Sequence, residues 1–169
     1  VEKAKQGNQL AQYQLYQKYA RAMFNVCYRM MNNFEEAEDV LQDAFTDVFS
    51  RLSTFRYEST IGSWIKTVVI NKCINVLKKR KIDMFLSDDI MRYEAVDENS
   101  LDEREIKYEV NQVRKAMEKL PEGYRVIFSL YTMEGYDHEE ISQILNISVS
   151  TSKTQYMRAK NKIRESINA

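Results

Sequence analysis

The chain has 169 residues, enough for one ordinary domain or two small ones. Hydrophobic residues at 44% and charged residues at 30% support a packed interior, while four Gly and one Pro are too few for a turn-rich β protein or a Gly-rich nucleotide cradle. The net charge of zero is a cancellation: +5 over positions 1–82, −7 over 83–109 and +2 over 110–169. No apolar run reaches the roughly 18 residues of a membrane span, and no signal-peptide pattern opens the chain. The start at Val1 rather than Met suggests a trimmed beginning. Cys27 and Cys73 lack CxxC spacing and there is one His, so neither a disulfide framework nor metal or triad chemistry is expected. Composition therefore favours an all-α, intracellular, non-enzymatic protein without cofactors.

The first helix is expected from Asn8 to Met31, with Leu10, Tyr13, Tyr16 or Gln17, Ala20, Phe24, Cys27 and Met31 recurring at helical spacing as core. Asn32 and Asn33 supply a turn and an N-cap, and Glu35, Glu36 and Glu38 suit the first turn of the next helix. In that helix Ala37, Val40, Leu41, Ala44, Phe45, Val48, Phe49 and Leu52 make one continuous stripe. Glu36, Asp39, Asp43 and Asp47 line the opposite side, with no Lys or Arg between Asn33 and Ser50. Carboxylates at this spacing repel one another along the helix. The stripe is either a solvated face or the docking face for a basic protein.

The segment from Ser53 to Thr60 reads as a polar, aromatic-bearing loop ending in a Ser/Thr cap. The run from Ile61 to Lys81 is rich in β-branched residues, which would allow a strand, but its length and the period of Ile61, Trp64/Ile65, Val68/Val69, Cys73 and Val76 predict a helix. Thr67, Asn71, Asn75 and Lys78 share its other face, and positions 66–82 hold six cations and no anion. Such a face beside an aromatic loop suits single-stranded or melting nucleic acid. The alternative is a basic helix end complementing its own dipole.

The acidic stretch loses helical periodicity and predicts a linker over 82–103, between helical modules at 1–81 and 104–169. In the second module, Val110, Val113, Met117 and Leu120 mark a helix that stops before Pro121. Another carries Tyr124, Ile127, Phe128, Leu130 and Tyr131 and ends at Gly135. Asp137 then caps a short helix with Ile141, Ile144 and Leu145 inward. Asn146 takes a left-handed turn position, and Ser148 caps a longer helix. This is a helix-turn-helix. On its second helix, Val149, Ser152, Tyr156, Ala159 and Ile163 are expected inside. Ser150, Lys153, Thr154, Met157 and Asn161 point out, with Arg158 and Lys160 at the margins. Small, hydroxyl-bearing and cationic side chains on such a face fit a major groove. A plain helical hairpin with a basic outer face is the bland alternative. His138 reads as a polar first-turn residue.

Three segments, in this order, resemble the sigma-70 family of bacterial RNA polymerase initiation factors, in its small extracytoplasmic-function (ECF) group. EEAEDVLQDAFTDVF from Glu35 resembles the family's core-polymerase-binding helix, WIKTVVINKCINVLKKRK from Trp64 its −10 recognition helix, and EEISQILNISVSTSKTQYMRAK from Glu139 its −35-reading helix-turn-helix. The resemblance implies a fold of two helical domains, like sigma regions 2 and 4, joined by the acidic linker. It implies a non-enzymatic, cytoplasmic factor that brings core RNA polymerase to promoter DNA and assists melting. An anti-sigma factor is a common partner in the group.

Carried over by position, Asp39, Gln42, Asp43 and Asp47 would contact core polymerase. Phe55, Arg56, Tyr57 and Ser59 would hold a base flipped from the −10 element, with Lys66, Thr67 and Asn71 on the neighbouring strand. Ser150, Lys153, Thr154, Met157, Arg158 and Lys160 would meet the −35 element, and the linker would thread toward the polymerase cleft. The chain departs from the family pattern at Asn146, where Gly is usual, at Ser152, where an apolar residue is common, and at Lys66 and Thr67, where aromatic residues or Arg are frequent. Two other functions compete: a dimeric helix-turn-helix regulator, which leaves the acidic stripe and the basic face without a purpose, and an enzyme acting on nucleic acid, for which no nucleophile or carboxylate pair is found.

Overall fold

The structure, a computed structural model, describes residues 1–80 and 110–168, and the expected linker lies outside the described residues. All regular elements among the described residues are helical. The chain divides into two compact units, between positions 82 and 83.

The first unit contains α1 (Glu2–Lys5), α2 (Gln9–Met31), α3 (Phe34–Arg51), a single 3-10 turn (Leu52–Thr54) and α4 (Ile61–Lys79). Its boundaries follow the capping residues. Asn8, Asn33 and Thr60 each accept a hydrogen bond from the backbone N–H three residues on, at 2.9, 3.1 and 3.2 Å. Each satisfies a donor that the first helical turn leaves orphaned. Asn32 closes α2 in the left-handed region at φ 54°, a conformation that Asn tolerates well. The stripe of α3 is buried from Ala37 through Val48 and on to Leu52, with Phe49 half-buried.

In α4 the buried set is wider than the periodicity predicts: Ile65, Val68, Val69, Ile70, Cys73, Ile74 and Leu77 are all covered. The helix packs against both α2 and α3, so two adjacent faces are apolar. That packing also decides its helical state over the strand that its β-branched residues would allow. On α2 the expected core stripe needs correction at its beginning. Leu10 and Tyr13 are exposed, at 66% and 56%, while Leu15, Met23, Val26, Cys27, Met30 and Met31 are buried. In the first turns of α2 the covered side is thus not the one that the expected spacing marks.

The second unit contains α5 (Val110–Glu118), α6 (Glu122–Phe128), a π-helical turn (Ser129–Met133), α7 (His138–Leu145) and α8 (Val149–Asn168). Ala116, Met117, Leu120, Tyr124 and Phe128 from α5, α6 and their junction pack on Ala159 and Ile163 of α8. Arg125, buried within α6, donates from Nη1 to the Leu120 carbonyl at 3.0 Å and so covers the end of the preceding chain turn. Burial lowers its pKa from the ordinary guanidinium value, with the Glu122 charge opposing. Gly135, at φ +79°, supplies the left-handed residue after the π-helical turn.

Candidate nucleic-acid and protein interfaces

The helix-turn-helix of the second unit is assembled by local capping chemistry. Asp137 accepts from the Glu140 N–H at 2.8 Å, and the Glu140 side chain accepts from the Asp137 N–H at 2.8 Å, a closed capping box at the start of α7. Asn146 ends α7 at φ 57°, ψ 50°, the left-handed conformation expected of it. Ser148 then accepts from the Thr151 N–H at 2.9 Å and starts α8. The covered side of α8 is Ser152, Gln155, Ala159 and Ile163. This corrects the expected inner set: Val149 is 37% exposed, Tyr156 is half-buried, and Gln155 takes the inner position at 2% exposure. Of the residues expected at the −35 element, Ser150 and Lys153 are exposed, and Thr154, Met157, Arg158 and Lys160 are half-buried. Lys160 Nζ lies 5.6 Å from the Tyr156 ring centroid, so its ammonium leans on its own unit.

His138 is more than a first-turn residue. Its ring stacks on Tyr131 with centroids 4.4 Å apart and meets Tyr156 edge-on at 5.6 Å. Its Nδ1 is 2.9 Å from Ser152 Oγ. That contact accounts for a hydroxyl at an inner position of α8: Ser152 has no exposed surface and needs a polar partner. Burial holds the His138 pKa below its ordinary value, Lys153 adds to the shift and Asp137 opposes it. The neutral ring is therefore favoured where α7 meets the recognition helix.

In the first unit, the expected −10 residues divide between the loop after α3 and the outer face of α4. Arg56, Tyr57 and Ser59 are exposed in the loop, Thr67 and Asn71 are exposed on α4, and Lys66 is half-buried. Phe55 is the exception. At 4% exposure it packs on Trp64, with ring centroids 5.6 Å apart, and lies beneath Tyr57 at 4.6 Å. It forms the floor of the loop and is not available to touch a base directly. Tyr57 occupies the left-handed region at φ 61°, which for a bulky residue costs about 1–3 kcal/mol and is held by surrounding contacts. Those contacts come from α1: Lys5 sits over the Tyr57 ring and Glu2 accepts from its hydroxyl. Sequence patterning missed this grip because α1 is a single turn with one buried residue, Ala4.

The acidic side of α3 is less bare than spacing along the helix suggests. Lys72 of α4 reaches Asp47 Oδ2 at 2.9 Å and Asp43 Oδ2 at 3.7 Å, and Arg80 meets Glu36 at 2.8 Å. The compensating cations come from the neighbouring helix, where an i, i+4 search along α3 could not find them. Lys72 and Arg80 are thereby engaged by carboxylates of α3. Asp39, Gln42 and Asp43 stay exposed, and Asp47 is half-buried. Gln42 also borders a shallow groove of about 250 Å³ between α2 and α3, lined by Tyr16, Arg21, Phe24 and Glu38. Among the described residues no helix is long and apolar enough to cross a membrane.

The family model for Sigma-70 region 2 matches residues 15–82, and that for Sigma-70 region 4 matches 111–163. Together they cover most of the chain, one in each unit. The chain belongs to the sigma-70 family, in its ECF group. It is 27% identical to the ECF RNA polymerase sigma factor SigW of Bacillus subtilis over 99% of this chain and 94% of that one. It is 26% identical to the RNA polymerase sigma-H factor of Pseudomonas aeruginosa over 99% of this chain and 91% of that one. The fold is similar to that of the sigma factor RpoE from Bartonella quintana, solved with the anti-sigma factor NepR, with a TM-score of 0.58, 19% identity, and coverage of 93% and 96% of the two chains. It is also similar to CnrH, solved with the cytosolic domain of CnrY, with a TM-score of 0.54, 18% identity, and coverage of 99% and 94%.

Proposed function

We propose that this ECF sigma factor divides promoter recognition between its two units and fastens to polymerase through α3. As a member of its group it is a transcription initiation factor that directs core RNA polymerase to promoters. Asp39, Gln42 and Asp43, with Asp47 at the edge, form the core-binding ridge. Arg56, Tyr57 and Ser59 hold an unstacked −10 base above the Phe55 floor, and Lys66, Thr67 and Asn71 track the adjoining strand. Capture of an extruded base offsets the few kcal/mol that unstacking costs, so melting proceeds by binding alone. The outer face of α8, through Ser150, Lys153, Thr154, Met157 and Arg158, reads the −35 element by base edges and phosphates, with Lys160 at its margin.

The observation that supports this reading best is that a loop with an exposed aromatic residue and a helix-turn-helix with an exposed cationic face occur in one chain, each within the matching sigma region. An anti-sigma factor would be a further partner, as the solved relatives illustrate for themselves.

Run-off transcription with core polymerase and a panel of genomic promoters tests the reading. The chain should co-elute with core and yield promoter-specific transcripts. The double charge reversal Asp39→Lys and Asp43→Lys should abolish co-elution while leaving the helical circular dichroism intact. Lys153→Ala and Arg158→Ala should each cost about 1–3 kcal/mol of −35-dependent binding. Tight, specific duplex binding by the chain without polymerase would instead favour a free-standing regulator.

A further inference from the structure

α1 precedes the stretch that matches sigma region 2, which begins at residue 15, yet it reaches the loop assigned above to base capture. Lys5 Nζ donates to the Phe55 carbonyl at 2.9 Å and lies 4.7 Å from the centroid of the Tyr57 ring. The Tyr57 hydroxyl donates to the Glu2 carboxylate. The ring face and the hydroxyl of one aromatic side chain are therefore engaged by residues more than fifty positions earlier in the chain. α1 is itself fixed in place: Gln12 Nε2 donates to the Ala4 carbonyl at 3.1 Å, the Asn8 N–H donates to the Lys3 carbonyl at 3.0 Å, and Ala4 is buried. Gly7, at φ +85°, makes the turn that folds α1 back onto α2. Tyr57 remains 54% exposed, so these contacts orient the ring without covering it.

We propose that Lys5 and Glu2 are positioning residues for Tyr57, and that α1 presets the pose in which the loop receives a base. The proposal rests on the base-capture reading of the loop. A ring already held in place loses little freedom when a base arrives, so the contact strengthens without a new one being made. Lys5 acts on the ring through its charge and on the loop backbone through its hydrogen bond to the Phe55 carbonyl; Glu2 fixes the hydroxyl end.

The experiment uses holoenzyme reconstituted from core polymerase and the full chain. The probe is a fluorescein-labelled single strand carrying the non-template −10 segment of a promoter that the unaltered holoenzyme selects from a random duplex library. Tyr57→Ala should weaken probe binding about tenfold or more. Lys5→Gln should weaken it about two- to fivefold, Lys5→Arg should restore it, and Lys5→Gln should have no further effect in the Tyr57→Ala background. The fluorescence of Trp64, the sole tryptophan and a neighbour of Phe55, should shift in Lys5→Gln free chain while the thermal midpoint holds. If Lys5→Gln were neutral, or cost the same with and without Tyr57, while Tyr57→Ala weakened binding, the positioning role alone would be overturned. If Tyr57→Ala had no effect, the capture role of the loop would fall and this proposal with it.

Discussion

Around α2, α3 and α4 of the first unit the buried side chains are apolar throughout, down to the contact of the Cys27 and Cys73 sulfurs at 3.8 Å. In the second unit, Arg125, Ser129, Ser152 and Gln155 are buried among Leu, Ile and aromatic neighbours. The first unit keeps most of its polar chemistry outside, including the ion pairs bridging α3 and α4, although the Arg29 Nε of α2 is itself buried. The second builds part of it inside, with His138 and Ser152 joining α7 to α8. Apolar packing is non-directional and accommodates small shifts, whereas a buried hydrogen bond fixes one geometry and is expensive to break. In the second unit the placement of α8 against α7 thus depends in part on the polar contact between His138 and Ser152. A factor that must present base-reading side chains in one register gains from that arrangement.

The strongest way to break this comparison is to open a cavity in each unit. Ile65 in α4 and Ile141 in α7 both have no exposed surface. Replacing either with Ala should cost about 2–5 kcal/mol. In urea titrations followed by Trp64 fluorescence, Ile65→Ala should move the transition to lower urea, and Ile141→Ala should leave it in place. A common shift for both variants would mean that the units unfold as one body and that their interiors cannot be contrasted.

The His138–Ser152 contact sharpens the comparison next. Ser152→Ala should cost about 1 kcal/mol and loosen α8 against α7, seen as faster amide exchange in both helices. pH acts on the same pair. Because the folded-state pKa of His138 lies below its ordinary value of 6.5, the folded unit binds fewer protons than the unfolded chain just below that pH. The stability that the neutral ring contributes is therefore present above pH 6.5, falls as pH drops through the folded-state pKa, and then levels off. His138→Gln should flatten that slope in amide exchange of α7 and α8. An unchanged slope would show that other groups of the second unit carry the acid sensitivity.

How far these features can be read from sequence follows from their range. The caps at Asn33, Thr60, Asp137 and Ser148 and the left-handed turn at Asn146 involve residues within about one helical turn, and all form as expected; Asn8, expected inside the first helix, is its N-cap instead. The stripe of α3 is equally legible because 3.6-residue periodicity is a local signal. Patterning falls short where the partner is distant. Lys72 answers Asp47 across 25 positions, and Lys5 reaches Phe55 across 50. Gln155 is buried and Val149 exposed because the helices packed on α8 decide which of its sides is covered, and residue type alone does not reveal that. The resemblance places Phe55 at the base site, and the packing of Trp64 draws it into the floor instead.

The smallest expected effect belongs to the ion pairs of the first unit. Lys72 is 24% exposed and its partners Asp47 and Asp43 are 42% and 69% exposed, so Lys72→Met should cost less than about 1 kcal/mol and the loss should shrink with added salt. The hydrogen bond to Asp47 raises the Lys72 pKa, burial opposes it, and the charges of Asp47 and Asp43 add to the rise. The resulting stabilisation is present below the ordinary lysine value of 10.5 and is lost only as pH climbs through the raised one. It therefore contributes no slope near neutrality, where His138 gives the second unit one. Removing Lys72 also leaves the α3 ridge more negative, so association with core polymerase should quicken at low salt and return to the unaltered rate at high salt. Stopped-flow mixing across a salt series measures this. A salt-independent loss of several kcal/mol would instead make Lys72 part of the first unit's interior, and its polar chemistry would no longer lie outside.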